Sequence, residues 1–155
     1  MSGILIVGNS GSGKSTLAMR LAEEQQLDHL DLDTLCWREP GIRQALDVTM
    51  DAISDWLEQH RNWVIEGCYG SIIQSLLPLC EQLIFMNPGV DACLARNRGR
   101  PWEAHKYDSM REQMKHFEQL QQWVSEYHSR DDEFSFSFHQ KIFLAFQGKK
   151  TEINY

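Results

Sequence analysis

Residues 8–15 read Gly8-Asn9-Ser10-Gly11-Ser12-Gly13-Lys14-Ser15, which is the G-x-x-x-x-G-K-S pattern of a phosphate-binding loop. A short apolar run, Ile4-Leu5-Ile6-Val7, stands directly before this loop and is typical of a buried strand. The residues that follow are good helix formers, and Leu17 and Leu21 fall on one helical face. The motif therefore lies between a predicted strand and a predicted helix, which is the context in which this pattern binds phosphate.

Each residue type in this loop has a physical role in holding phosphate. Glycines let the backbone turn tightly, so that the loop amides and the positive end of the following helix point at an anion. Lys14 is a mobile cation for the β- and γ-phosphates, and the Ser15 hydroxyl is the expected Mg²⁺ ligand. The predicted nucleotide-binding residues are Gly8, Asn9, Ser10, Gly11, Ser12, Gly13, Lys14, Ser15 and Thr16.

Length and composition limit the class of protein. A chain of 155 residues suffices for one α/β domain with a core, so we expect a single domain over residues 1–155. The formal net charge of -7 argues against a general binder of nucleic acid or of membrane surfaces. The four cysteines lack the C-x-x-C spacing of zinc sites. Because neither a signal peptide nor a membrane-spanning apolar run is evident, we expect a cytoplasmic protein with reduced thiols.

Two carboxylates stand at the end of a second predicted strand, over residues 27–33. Asp31 and Asp33 are two positions apart and would share one face of that strand, at the edge of a parallel sheet where ligands bind. One carboxylate could orient a Mg²⁺-bound water and one could accept a proton from a substrate hydroxyl, or one only caps the next helix. Trp37 and Arg38 follow, and either they line a substrate site or Trp37 is simply buried.

A third predicted strand ends in Glu66 and Gly67, with Tyr69 close behind. P-loop proteins often keep a second carboxylate of the magnesium shell after such a strand, and a glycine permits close approach of a ligand. An ordinary turn at the end of a strand is the alternative interpretation. A fourth predicted strand follows at residues 82–86.

Three arginines, Arg96, Arg98 and Arg100, follow the fourth predicted strand in a chain that is acidic overall. Forked guanidinium groups suit phosphate oxygens, and the lid of a phosphoryl-transfer enzyme would lie at this point. We expect at least one of the three to have this function, with a solvated basic face as the alternative. A long amphipathic helix over 109–128 and a further helix through Phe146 complete a helical insert at about 96–146, before a short last strand.

Strands and helices alternate along the chain, which implies a parallel sheet covered by helices on both faces. The sequence resembles the small P-loop kinases related to adenylate and shikimate kinase, most closely their topology-modulation-protein branch. Residues 8–16, 29–37 and 63–69 carry the resemblance, which covers about the first 90 residues. It implies a three-layer P-loop NTPase fold with a five-stranded parallel sheet in the order 2-3-1-4-5 and a helical lid.

The resemblance also implies a function, an ATP- and Mg²⁺-dependent phosphotransferase whose acceptor lies over the ends of strands two and three. Asp33 falls where shikimate-kinase-like enzymes keep an acceptor-binding carboxylate, and Glu66-Gly67 falls where nucleotide kinases carry Asp-Gly. The shikimate-binding arginine after strand two and the triple glycine after strand three are not evident. We therefore expect a small-molecule acceptor, either a nucleotide or a hydroxylated metabolite.

The residues expected to carry out this reaction fall into three groups. The catalytic candidates are Lys14, Asp33, Arg96, Arg98 and Arg100. The acceptor-binding candidates are Asp31, Asp33, Trp37, Arg38, Glu66, Gly67 and Tyr69. The metal-ligand candidates are Ser15 and Glu66.

A nucleotide-binding ATPase or regulatory module without kinase activity is the alternative function. The N-K-x-D and D-x-x-G patterns of GTPases do not occur in the sequence, which argues against a GTP-dependent switch. Lys14 and Ser15 are intact, which favours retained phosphate binding but leaves transfer open. We expect ATP and a small acceptor as partners, without nucleic acid or membrane, and the sequence makes no prediction of oligomeric state.

Overall fold

The computed structural model describes residues 2–39, 41–99, 103–104 and 107–155. Within these ranges the strands are β1 Ser2–Gly8, β2 Asp28–Asp31, β3 Trp37–Glu39, β4 Ile42–Arg43, β5 Asn62–Gly67, β6 Gln82–Met86 and β7 Lys149–Ile153. The α-helices are α1 Lys14–Gln25, α2 Asp33–Cys36, α3 Leu46–Gln59, α4 Gly70–Leu76, α5 Val90–Arg98, α6 Met110–Lys115, α7 Phe117–Ser125 and α8 Phe136–Ala145. A short 3₁₀ helix, Leu77–Leu79, follows α4.

Five strands form one parallel sheet in the order β2-β5-β1-β6-β7. The strands β3 and β4 form a separate antiparallel hairpin. Counting the five sheet strands alone gives 2-3-1-4-5, so the predicted order is confirmed. Because all five run in the same direction, the carboxyl ends of β1, β2 and β5 meet at one edge, directly beside the glycine loop.

Helices cover both faces of this sheet. On one face, Leu5 and Phe85 belong to a core that also includes Ile53 of α3, Ile72 of α4 and Ile142 of α8. On the other face, the alternate strand residues Ile4, Ile6, Val64 and Ile84 pack against Leu17 and Ala18 of α1. The continuous apolar runs of β1, β5 and β6 are explained by this burial on two sides, and the predicted three-layer α/β fold is confirmed. None of the helices within the described ranges is long and apolar enough to cross a membrane.

The second strand is shorter than the pattern over 27–33 predicts. β2 ends at Asp31, whose carboxylate accepts a hydrogen bond from the backbone N–H of Asp33 at 2.9 Å. The Thr34 hydroxyl donates to the Asp31 carbonyl at 2.6 Å, and α2 begins at Asp33. These local bonds turn the chain out of the sheet, so the prediction that Asp31 and Asp33 share a strand face is wrong.

The long helix predicted over 109–128 is divided in two. The Ser109 hydroxyl accepts a hydrogen bond from the backbone N–H of Glu112 at 3.2 Å and caps α6. His116 separates α6 from α7, because its N–H bonds to the Gln113 carbonyl three residues back at 3.2 Å and tightens the turn. The predicted last helix, α8, begins after Ser135, whose hydroxyl accepts from the N–H of Phe138.

Candidate active site

The glycine loop between β1 and α1 has the conformation that its sequence requires. Gly11 and Gly13 have φ angles of 82° and 96°, in the left-handed region that favours glycine. Lys14 is the first residue of α1, and its ammonium folds back to donate to the Asn9 carbonyl at 2.7 Å. Ser15 follows on the first helical turn. The loop thus presents its amides, one lysine and one serine at the carboxyl edge of the sheet.

Glu66 lies at the end of β5, directly against the first turn of α1. The Ser15 hydroxyl donates to Glu66 Oε1 at 2.8 Å, and His29 Nε2 on β2 lies 3.4 Å from the same oxygen. Glu66 is only 2% exposed, because parallel pairing with β1 and β2 holds this strand end inside the sheet. The structure therefore brings together Ser15 and Glu66, the two residues expected at a metal ion.

The Ser15–Glu66 pair suits Mg²⁺ by its chemistry. Both groups present oxygen, and Mg²⁺ in phosphate sites takes one or two protein oxygens and completes its shell with water and substrate phosphates. Among the residues that the structure describes, no three His, Cys, Asp or Glu side chains cluster as a metal cage. Water and the phosphates of a bound nucleotide would have to supply the remaining ligands.

Asp33, Tyr69 and Trp37 form a chain of hydrogen bonds beside the glycine loop. The Tyr69 hydroxyl donates to Asp33 Oδ1, and the Trp37 indole N–H donates to the Tyr69 oxygen at 3.0 Å. Burial raises the pKa of Tyr69 far above its usual value, and the neighbouring Cys68 and Asp33 raise this pKa further. Tyr69 therefore keeps its proton and holds the Asp33 carboxylate in a fixed direction.

Arg43 on β4 is a site residue that the sequence analysis missed. Its guanidinium carbon lies 4.8 Å from the ring centroid of Tyr69, 5.6 Å from that of Trp37 and 5.8 Å from that of Phe134. Its Nε donates to the Cys36 carbonyl at 3.2 Å. The feature that could have pointed to Arg43 is the hairpin, because pairing of β3 with β4 places Arg43 opposite Trp37.

Arg38 is exposed and does not line the cavity that contains Trp37. Successive residues on a strand point to opposite sides, and Trp37 and Arg38 are neighbours on β3. Arg43, on the paired strand, lines the cavity together with Trp37, and an acceptor-binding function of Arg38 stays a prediction.

The arginine cluster is divided by the structure. Arg96 Nη1 donates to the Ser12 carbonyl at 2.6 Å and so holds α5 against the glycine loop. Arg98 is exposed and borders a separate surface groove between α5 and α7. Arg100 lies outside the described residues. The phosphate-binding function of these arginines stays a prediction.

One cavity of about 590 Å³ connects the loop to the Asp33 cluster. The sequence-predicted residues that line it are Ser10, Lys14, Ser15, Asp33, Trp37, Glu66, Gly67 and Tyr69. Asp31 is not part of the lining, and its carboxylate instead holds the N–H of Asp33. The opposite wall comes from α6 and α7 and was not predicted residue by residue; it includes Gln113, Phe117, Leu120 and Trp123.

The sheet order, the glycine loop and the cavity at the carboxyl edge define a P-loop protein of the α/β class. The family model described as AAA domain matches residues 4–105, about two thirds of the chain. The chain belongs to this family.

The solved structures with folds similar to this chain include small P-loop kinases. A gluconokinase from Sinorhizobium meliloti 1021 is 17% identical with a TM-score of 0.54, over 99% of this chain and 82% of that chain. A sugar kinase from Janibacter sp. HTCC2649 is 13% identical with a TM-score of 0.59, over 99% and 85%. A shikimate kinase from Bacteroides thetaiotaomicron is 16% identical with a TM-score of 0.57, over 99% and 86%.

These likenesses confirm the predicted resemblance at the level of the fold, whereas the topology-modulation-protein branch stays a prediction. No curated protein matches the chain with significant similarity.

Proposed function

We propose that this protein is an ATP-dependent phosphotransferase that phosphorylates a small hydroxylated acceptor. The observation that carries the proposal is the continuity of the cavity, which has the phosphate loop at one end and the Asp33 cluster at the other. A nucleotide-binding module needs only the first of these. A second compartment, within reach of the phosphates, is what a phosphoryl acceptor requires.

The nucleotide end consists of the loop amides, Lys14, Ser15 and Glu66. Lys14 now donates to a loop carbonyl, so its ammonium can exchange that bond for a charge-assisted bond to phosphate. Ser15 and Glu66 would hold Mg²⁺, which when bound offsets charge on the phosphate chain. Glu66, which is buried and now accepts from the Ser15 hydroxyl, would be the second residue that holds the metal.

The acceptor end consists of Asp33, Tyr69, Trp37 and Arg43. The Asp33 carboxylate, fixed by Tyr69, is suited to accept a hydrogen bond from the acceptor hydroxyl and then its proton. Arg43 is held by three rings and one carbonyl, and its guanidinium suits an acidic group on the acceptor. A nucleotide or a hydroxylated acid meets both requirements.

The wall formed by α7 contributes to the cavity differently from the nucleotide end and the acceptor end. Phe117, Leu120 and Trp123 add apolar surface to the cavity on the side away from the sheet. An apolar wall offers water no hydrogen-bond partners on this side of the cavity. It also suits an acceptor with one flat or apolar face.

The test is ADP formation from ATP and Mg²⁺ in the presence of a panel of nucleotides, sugar acids and other hydroxylated acids. We expect one class of acceptor to raise the rate. Asp33→Asn should keep ATP affinity and lower acceptor-dependent turnover by about 10²-fold, the usual contribution of a positioned general base. Lys14→Ala serves as the control that weakens ATP binding itself.

Two outcomes would contradict the proposal. If ATP binds but no acceptor in the panel raises ADP formation, the regulatory-module alternative gains support. Equal loss of ATP binding and turnover in Asp33→Asn would remove the acceptor function from Asp33.

A further inference from the structure

Asn97, on α5, has a buried carboxamide that the functional site described above does not use. The side chain is 4% exposed, and neither Nδ2 nor Oδ1 has a hydrogen-bond partner among the residues that the structure describes. Burial without partners destabilises a fold, because water no longer solvates the donor or the acceptor. Such a group in a ligand cavity is a candidate for binding the ligand.

The carboxamide lies against the middle of the glycine loop. A Cβ placed on Gly11 would lie 2.9 Å from both Nδ2 and Oδ1 of Asn97. Asn97 also lines the cavity that contains Lys14 and Ser15. The preceding residue, Arg96, donates to the Ser12 carbonyl and fixes α5 in this position. The amide is therefore held at the loop before any ligand arrives.

The chemistry of the site favours phosphate as the partner of this amide. The side-chain N–H₂ donates, as do the loop amides, and phosphate oxygens accept. The Ser12 hydroxyl, which is fully buried on the same loop, also lacks a partner among the described residues. Ser12 follows Gly11 in the loop, and its Oγ lies on the Gly8 side, where a Cβ added to Gly8 would be 2.8 Å away.

We infer that the Asn97 carboxamide binds the polyphosphate of the nucleotide at the Gly11 side of the loop. This inference rests on the proposed function, since it needs a polyphosphate in the loop. Asn97 donates from Nδ2 to a phosphate oxygen and orients the polyphosphate toward Lys14 and Ser15. A phosphate oxygen would give the buried Nδ2 the hydrogen-bond partner that it lacks among the described residues.

Asn97→Leu separates this function from a structural one, because leucine has similar size and no polar atom. The melting temperature of the unliganded variant should equal or exceed that of the wild type, since an unsatisfied buried amide is removed. Calorimetric affinity for inorganic tripolyphosphate and for ATP with Mg²⁺ should fall by about tenfold or more, the value of one hydrogen bond to a charged group. Asn97→Asp should weaken both ligands further through charge repulsion.

Gln121→Met is the matched control. Gln121 has an unpaired buried Oε1 as well, but its Nε2 donates to the Leu94 carbonyl at 3.1 Å and it borders the groove outside the cavity. Tripolyphosphate affinity should be unchanged in this variant. Wild-type affinity in Asn97→Leu, or a lowered melting temperature without ligand, would overturn the inference while the proposed function stands. Absence of tripolyphosphate and ATP binding in the wild type would overturn both.

Discussion

At the scale of single residues, Tyr69 links the two sides of the acceptor end of the cavity. It accepts from Trp37 and donates to Asp33, and it is 2% exposed. Because burial keeps its pKa high, the hydroxyl remains a donor across the physiological pH range. A buried phenol from the loop after β5 thus helps to set the direction of the Asp33 carboxylate.

Replacing this tyrosine tests the chain of hydrogen bonds. Tyr69→Phe should lower acceptor-dependent kcat by about tenfold, because loss of one orienting bond to a charged group costs about 1.5 kcal/mol. ATP affinity should stay at the wild-type value. Steady-state kinetics with an active acceptor and calorimetry with ATP measure the two effects. Trp37→Phe, which removes the donor to the Tyr69 oxygen, should lower kcat less than Tyr69→Phe does. If Tyr69→Phe lowered ATP affinity as much as kcat, this function of Tyr69 in orienting Asp33 would be contradicted.

Functional residues that are neighbours in the sequence are easier to predict than residues that only the fold brings together. Lys14 and Ser15 stand in one motif, so their places follow from the pattern. Arg43 has no motif, and only the turn at Gly41, with a φ of 81°, brings it opposite Trp37. A weak two-residue strand such as β4 is decided by tertiary packing, which local propensity does not contain.

At the scale of elements, the glycine loop is held from outside by two helices. Arg96 of α5 donates to the Ser12 carbonyl at 2.6 Å, and Asn9 Nδ2 donates to the Val124 carbonyl of α7 at 3.3 Å. The loop therefore depends on helices that lie late in the chain. The amphipathic pattern predicts α7 as part of one long helix over 109–128, but it does not predict the break at His116 that separates α6 from α7.

Arg96→Met should loosen the loop. The variant loses the bond to Ser12, so hydrogen exchange of the Ser12 amide, which donates to the Asn9 carbonyl at 3.1 Å, should become about tenfold faster, the value of roughly 1.4 kcal/mol of local stability. Exchange measured by mass spectrometry or NMR in the absence of ligand reports this directly. Arg98→Met is the matched control, since Arg98 is on the same helix but borders the groove between α5 and α7 and not the glycine loop. Equal exchange in the two variants would contradict this function of Arg96.

At the scale of the whole molecule, the sheet order could be predicted, and the far wall of the cavity could not. The alternation of strands and helices predicts a parallel sheet with right-handed connections, and the resemblance to the small P-loop kinases implies the strand order 2-3-1-4-5. The wall from α6 and α7 has no such constraint. Its position depends on buried contacts such as the hydrogen bond of the Tyr127 hydroxyl with His139 Nδ1 at 2.7 Å.

His139 connects α8 to the site and is fully buried. Its Nε2 lies 2.9 Å from the Cys68 carbonyl, which can only accept, so Nε2 carries the proton and Nδ1 accepts from Tyr127. Burial lowers the pKa of His139 to about 4 from an ordinary value of 6.5. The folded protein therefore keeps the ring neutral in a range where the unfolded chain binds a proton.

The sign of the pH effect follows from this difference. Between pH 6.5 and pH 4 the unfolded chain binds more protons at this residue, so the free energy of unfolding falls as the pH is lowered, by at most about 3 kcal/mol. Urea unfolding at several pH values between 7 and 4 measures the loss. His139→Gln, which has no titrating ring, should show a flatter profile over this range. An unchanged profile in the variant would mean that carboxylates alone cause the acid sensitivity, and that His139 is protonated in the folded protein without cost.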